Sequence, residues 1–329
     1  MRRREFVRAA GACSAYVAAT LAAGTTATRR AFATRPGSPI AASEPWGRLE
    51  EVAEGVWALI STPLADHPRA HLTVANGGIV AGRDAVALIE GLASAEGAGW
   101  LAAAARKLTG RSPDLIVLTH YHGDHSSGLD AYGAATADAP VLHASATTLD
   151  TLREGARRRD REPPTAAFTG GHLRLVGETG GNAAATTIDL GGPRLEIHSS
   201  AGHTDSDLFV VLEEPRIAWC GDLVWNEMFP NYMDATPSRL SASVRRLASE
   251  PADVWVPGHG DLADRAAIDR YVALIDDVED AARRGVARGD PPDAAAAAYR
   301  PPEALGEWVM FSPRYYEVAF EAWYGELEA

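Results

Sequence analysis

From Leu49 onward the chain alternates short apolar runs with turns marked by glycine or by charge. The stretches "EVAEGVWALIST" and "GGIVAGRDAVALIEG" break at a glycine or an Arg-Asp pair, the punctuation of paired β-strands. Helical spacing takes over from Ala95 to Leu108, and "DLIVLT" then returns to a continuous apolar run, the mark of a buried strand. "APVLHA" reads as another strand and "ATTLDTLREGARRRD" as a charged helix. Residues 161–185 lose the pattern and are expected to form a loop over the body. Strands resume in "TTIDLGG", "RLEIHSS", "DLFVVLEE" and "RIAWCGD". A helix over Pro237–Ser249, the strand "DVWVPG" and a long helix from Ala263 to about Arg284 follow. "DPPDAAAAAYRPP" reads as a low-complexity connector, and Phe311–Leu327 as a final amphipathic helix.

Each half runs strands first, then helix and strand, which hints at a duplicated unit without a convincing residue-level repeat. The order predicts an α+β fold in which two mixed sheets pack together with helices outside. Residues 34–47, rich in Pro, Gly and Ser, read as a linker. Residues 48–329 then form a single domain whose last part, from about 290, is a helical extension. The first 33 residues read as an export signal of twin-arginine type. They have a basic start at Arg3-Arg4-Glu5-Phe6-Val7-Arg8, a mildly apolar stretch, and a small-x-small site at Ala31-Phe32-Ala33. The expectation is an exported protein, periplasmic or extracellular, with no stable membrane anchor once the signal is removed. The apolar part is too short to span a bilayer.

Composition narrows the partners. With 329 residues and 46% apolar content the chain can bury a large core. The formal charge is −13, and residues 1–33 carry six arginines against one glutamate, so the remainder is about −18. An acidic body disfavours nucleic acid and anionic membrane surfaces as partners and leaves a small-molecule substrate; nothing in the sequence speaks to oligomeric state. Cys13 lies in the signal, so the mature chain holds only Cys220 and no internal disulfide. No G-x-G-x-x-G follows a strand, and there is no P-loop.

The chemistry concentrates in "LTHYHGDHSSG", which follows the strand "DLIVLT". His120 and His122 sit two apart on extended chain, a spacing that points both imidazoles the same way. Asp124 and His125 come after Gly123, where the backbone can turn. One turn therefore offers two histidines to one metal and a carboxylate plus a histidine to a second. Three further candidates follow apolar strands in glycine-flanked turns: His203 in "SAGHTDSD", Asp222 in "WCGDLV" and His259 in "VPGHGD". Imidazole with carboxylate suits zinc, and also iron or manganese. His67, His71, His143, His172 and His198 lack such a setting and read as surface or core histidines.

The ordered set "THYHGDH", "AGHTDSD", "CGDLV" and "VPGHGD" resembles the metal-binding motifs of the metallo-β-lactamase superfamily, from about Leu49 to Ala281. The resemblance implies a four-layer αβ/βα sandwich with a dinuclear site, expected to hold two Zn2+, at one edge between the sheets. By motif position, His120, His122 and His203 hold the first metal, Asp124, His125 and His259 the second, and Asp222 bridges both. It implies a hydrolase in which a hydroxide bridging the metals cleaves an ester, lactone, thioester or amide bond, a β-lactam among them, with Asp124 orienting that hydroxide. Two ions about 3.5–4 Å apart lower the pKa of a shared water toward neutrality. Two departures stand out. Glu90 in "LIEG" replaces the family's usual aspartate, and is expected to keep the role of bonding a ligand histidine with altered geometry. Cys220 lies two residues before Asp222 and reads as a core residue, not a ligand. Trp225, Phe229 and Tyr232 either line an apolar pocket beside the metals or pack beneath the site. The other open reading is a mononuclear iron oxygenase resembling the persulfide dioxygenases, which share the fold and use part of the ligand set.

Overall fold

In the computed structural model, residues 38–133, 139–177 and 185–329 are described. The export-signal reading of residues 1–33 lies outside them. Eight strands form the first sheet in chain order: β1 (Ile40–Glu44), β2 (Gly47–Ala53), β3 (Val56–Ser61), β4 (Gly77–Ala81), β5 (Val86–Ile89), β6 (Leu115–Val117), β7 (Val141–Ala144) and β8 (Leu173–Leu175). The first five are antiparallel neighbours and the last three add in parallel. The second sheet runs β13–β12–β11–β10–β9, from β9 (Thr186–Asp189), β10 (Arg194–Ser199), β11 (Leu208–Leu212), β12 (Ile217–Trp225) and β13 (Val254–His259). Its β12–β13 pair is parallel and the rest antiparallel.

Parallel neighbours need a crossover, and helices supply it. α1 (Ala95–Thr109) joins β5 to β6, and a single turn, α2 (Gly123–Ser126), follows β6. α3 (Ala146–Arg158) follows β7, and α4 (Pro237–Ala248) joins β12 to β13. α1 starts where the Ser94 side chain accepts from Gly97 N, and stops at Gly110 with φ 73°. α5 (Arg265–Arg288), α6 (Pro292–Ala298) and α7 (Tyr315–Leu327) complete the chain.

Period-two alternation makes the four layers. In β3, Val56, Ala58 and Ile60 face the second sheet, where they join Leu195, Val210, Trp219 and Val256 in one core. Trp57 and Leu59, between them, face α1 and pack with Leu101 and Ala105. In β12, Ile217 and Trp219 point into the inter-sheet core, while Ala218 and Cys220 point out to α4, α5 and α7. Both faces of both sheets are covered, which is why these strands read as continuous apolar runs rather than alternating ones. Trp219 crosses the sandwich and donates from Nε1 to Gly77 O at 3.0 Å. A Cβ on Gly78 would lie 2.6 Å from that nitrogen, so the Gly77-Gly78 pair gives the indole its seat.

Three readings are corrected. Residues 34–47 are not simply a linker: Ile40–Glu44 is an edge strand paired antiparallel to β2, and Trp46 is buried. Pro and Ser nearby are compatible with an edge, where one row of backbone groups needs no partner. Residues 161–185 contribute β8 beside β7, three residues too short for a periodic signal. The "DPPDAAAAAYRPP" connector contains α6, with Pro at its first helical position and Ala295 and Ala296 buried. Cys220 is fully buried in the helix-side core, and burial pushes its thiol pKa up. Among the described residues no helix is long and apolar enough to cross a membrane.

Candidate metal centre

All seven candidate ligands gather at one rim of the sandwich, six of them from strand ends or the turns that follow and Asp222 from within a strand. His120 and His122 follow β6 through Leu118-Thr119, and α2 turns Asp124 and His125 back toward them, with His125 N bonding His122 O at 3.1 Å. His203 lies in the β10–β11 turn. Asp207, the last residue of "AGHTDSD", shapes that turn, accepting from Gly202 N, Thr204 N and Thr204 Oγ1 at 2.7–2.9 Å. Asp222 lies within β12, and His259 ends β13. Asn76 clamps the His259 turn by donating from Nδ2 to Pro257 O at 2.9 Å and Gly260 O at 2.8 Å. Gly258 is required by close approach, since a Cβ there would stand 2.0 Å from Asp222 Oδ1.

The ligand atoms fall into two groups that share Asp222. His120, His122, His203 and Asp222 form one; Asp124, His125, Asp222 and His259 form the other; in each, the atoms lie within 4.8 Å of one another. Asp222 Oδ2 faces the first group, 3.3 Å from His203 Nε2 and 3.8 Å from His120 Nε2. Its Oδ1 faces the second, 3.0 Å from His125 Nε2 and 3.4 Å from His259 Nε2. Asp124 Oδ2 completes that group 3.1 Å from His259 Nε2. Ligands about 2.0–2.1 Å from a tetrahedral ion stand about 3.4 Å from each other, and these spacings fit that edge length.

Unsatisfied buried atoms argue that a cation belongs here. His120 Nε2, His125 Nε2, His259 Nε2 and Asp222 Oδ1 are buried and close to one another, yet none makes a properly aligned hydrogen bond. Buried polar groups without partners are costly, and cations held by the two groups would remove that cost.

Outer partners fix which nitrogen of four histidines faces inward. His203 Nδ1 donates to Asn231 O at 3.1 Å, and His122 Nε2 donates to Asp234 Oδ2 at 2.9 Å. His203 Nε2 and His122 Nδ1 then face each other at 2.9 Å inside the first group. His125 Nδ1 donates to Glu90 Oε1 at 3.0 Å. His120 Nδ1 donates to Thr119 Oγ1 at 3.0 Å, and that hydroxyl donates to the same Glu90 oxygen at 2.6 Å. Glu90 thus holds one histidine of each group, directly or through Thr119. It does so from a left-handed backbone, φ 77°, with 2% exposure.

The electrostatics follow the nearest carboxylates: burial works against charge at His122 too, but its hydrogen bond to Asp234 and the charge there raise its pKa, unlike those of the other two histidines of its group. Burial lowers the pKa of His203 to about 4. Burial, reinforced by neighbouring imidazoles, holds His120 well below its ordinary value. In the second group burial works against charge, but the carboxylates outweigh it. Asp222, Glu90 and Asp124 raise His125 well above the usual range, and Asp222 with Asp124 lifts His259 to about 9. Burial also opposes ionisation of Asp124, yet His125 and His259 bring its carboxyl down to about 2.

The three aromatic candidates pack beneath the site. Trp225, Phe229 and Tyr232 are 0–2% exposed in the helix-side core. The Trp225 ring lies 4.0 Å from that of His259, and Phe229 packs at 4.7 Å against Tyr316 of α7. The C-terminal extension covers all three: Phe229 N bonds Val309 O, and Phe311 stands 6.0 Å from His259. A small cleft opens between the His122 turn and α3. His67, His71, His143, His172 and His198 lie outside both ligand groups.

Asp234 carries no local sequence signal. It sits in "NYMDATP", without a flanking glycine or a strand before it, yet its Oδ2 accepts from both His122 and, at 3.1 Å, Tyr121 Oη. We expect Asp234→Asn to weaken metal binding in the first group by about 10–100-fold while leaving the second unchanged. Competition with a chromophoric chelator reads both; equal loss at both groups, or none, would contradict this role.

Two stacked mixed sheets flanked by helices, with seven candidate ligands in two groups about one carboxylate at the rim, define an αβ/βα sandwich with a candidate metal centre. A family model described as "Metallo-beta-lactamase superfamily" matches residues 72–259, and the chain belongs to that superfamily. It is 26% identical over 160 residues to a hydroxyacylglutathione hydrolase of Acidiphilium cryptum, covering 48% of this chain and 55% of that protein. It is 28% identical over 151 residues to one of Cupriavidus taiwanensis, covering 45% and 50%. The chain thus spans about half the length of these curated relatives. Among solved structures, a metallo-β-lactamase from Pontibacter korlensis superposes with TM-score 0.56 at 21% identity, covering 70% of this chain and 99% of that one. A stereoselective inverting sec-alkylsulfatase from Pseudomonas sp. superposes with TM-score 0.62 at 15% identity, covering 84% and 50%. At these identities the likeness is one of fold.

Proposed function

We propose that the chain is a binuclear zinc hydrolase that cleaves an ester, lactone, thioester or amide bond of a small molecule. The observation that carries this reading is Asp222, whose two oxygens each face a separate set of inward-pointing ligand atoms. Two divalent ions bound there supply an activated water and polarise a carbonyl. The second group, with two carboxylates, and the first, with three imidazoles, fit this division of labour.

The chain's own residues do the rest. Asp124 is the most open ligand side chain, 11% exposed, and ionised at neutral pH. Its carboxylate accepts a hydrogen bond from the attacking water and so aims a lone pair at the substrate carbonyl. Glu90, Thr119, Asp234 and Asn231 hold the imidazoles in one tautomer, so little reorganisation is needed on reaching the transition state. The Trp225–Phe311 pair behind His259, 6.1 Å between ring centroids, keeps water from that side. The names of the curated relatives, hydrolases of a hydroxyacyl conjugate of glutathione, support an acyl bond as the target. A panel of β-lactam, lactone, thioester and phosphodiester probes tests this. Hydrolysis confined to acyl bonds is expected, and turnover of the phosphodiester alone would overturn the assignment.

A further inference from the structure

We propose that Arg48 is a positioning residue for the second ligand group: through Asp261 it ties the turn that carries His259 to the first sheet. This rests on the two-ion reading of the site and not on which bond is cleaved.

His259 differs from the other four histidines of the two groups. Each of those has an outer partner for its second nitrogen, whereas His259 Nδ1 is buried without one. Its ring lies against Trp225, a contact that limits tilt but bonds neither nitrogen. With no outer hydrogen bond to orient the imidazole, the direction of Nε2 is set by the backbone of the turn, residues 259–262.

Side chains from three other parts of the chain hold that turn. Asn76 takes its near end through Pro257 O and Gly260 O. Asn226 donates from Nδ2 to Asp261 O at 3.0 Å, and its N–H bonds His259 O at 2.9 Å. The third hold is an ion pair: Asp261 Oδ1 accepts from Arg48 Nη2 at 2.9 Å, between residues 213 apart in sequence.

Arg48 is placed for this by the register of β2. It stands opposite Ile60 of β3, and Glu50 opposite Ala58, so period two turns both charged side chains toward the apolar space between the sheets. Glu50 is fully buried and Arg48 nearly so. Glu50 Oε1 accepts from Arg48 Nε at 2.7 Å, which leaves Nη2 for Asp261, while Glu50 Oε2 has no partner. A buried ion pair is costly, and apolar side chains in its place are often as stabilising. Stability alone therefore gives no reason for charge on this face. What the pair supplies is direction, because a guanidinium held at Nε by one carboxylate presents its far nitrogen along a fixed line to another. The first ligand group has no residue in this turn, so a loosened turn would disturb the second group alone.

Two measurements on the full chain test this: zinc affinity by chelator competition, and the visible absorption bands of the cobalt-loaded chain, which follow ligand geometry. Asp261→Ala removes the tether and leaves Arg48 paired with Glu50, so far-UV circular dichroism should be unchanged. It should weaken one of the two zinc constants about tenfold or more and shift the cobalt bands. Added to Asp234→Asn, it should leave both constants weakened, since the two substitutions act on different ions. Asp261→Asn, whose amide oxygen still accepts from Arg48, should bind zinc nearly as wild type does. Arg48→Lys, which keeps the charge but not the fork, should lose as much as Asp261→Ala; this pair of variants carries the test if Asp261→Ala does not fold. An influence of charge alone gives the reverse, with Asp261→Asn impaired and Arg48→Lys intact, and would overturn the proposal. If wild type and every variant bind two ions equally well, the two-ion reading stands and the role of Arg48 fails. If wild type binds fewer than two ions, that reading fails and the proposal falls with it.

Discussion

Asp222→Ala is expected to reduce bound metal from two ions per chain to one or none, and to cut hydrolysis by about a thousandfold or more. Each other ligand serves one group, whereas Asp222 gives Oδ2 to His120 and His203 and Oδ1 to His125 and His259. Without it the first group keeps three imidazoles and no carboxylate, and Asp124 is the one carboxylate left among the candidate ligands. Asp222→Asn separates shape from charge, because the amide fills the same space under Gly258 and supplies one oxygen. It too should lose the second metal. The fold should persist in both variants, since the three apolar cores are built from other residues. Far-UV circular dichroism and metal analysis on the same sample check this. Two retained metals would contradict the bridging role.

Glu90→Gln is expected to weaken both metals together, by about 10–100-fold each. One carboxylate oxygen accepts from His125 Nδ1 and from Thr119 Oγ1, and Thr119 Oγ1 in turn accepts a hydrogen bond from His120 Nδ1. Replacing the carboxylate by an amide weakens one anchor of each group. Asp234→Asn, by contrast, reaches only His122, so the pair of variants distinguishes a shared anchor from a private one by chelator competition. Glu90→Gly adds a second readout. It removes the carboxylate but relieves a left-handed backbone that costs a non-glycine residue about 1–3 kcal/mol. It should therefore be less destabilised in thermal unfolding than Glu90→Ala, while binding metal as poorly.

The residues that cluster at the rim were readable in the sequence as candidate ligands because each obeys a local rule: an apolar strand, a glycine-flanked turn, and a histidine or aspartate at the turn. The groups that orient them obey none. Asp234 is brought to His122 by the path of the chain after β12, and Thr119 contributes through a hydroxyl that resembles any strand-end threonine. Glu90 could be placed near a histidine, but the extra methylene gave no sign that it would serve both groups. Trp225, Phe229 and Tyr232 lie close to Asp222 in sequence, and nothing local shows that α5, α7 and the segment around Val309 cover them. In the fold, long periodic elements such as α1 and α5 were clear. β1 and β8 are short and lie at the sheet edges, where pairing with a neighbour, not local pattern, makes the strand. α6 was obscured because five consecutive alanines look like a spacer while being good helix formers.

Metal content measured alongside turnover on the purified chain separates a binuclear hydrolase from an iron oxygenase. Two zinc ions per chain are expected, with hydrolysis of acyl probes that disappears as a chelator removes them and recovers when zinc is returned. A single iron per chain, with oxygen consumed and no acyl probe cleaved, would contradict the hydrolase reading.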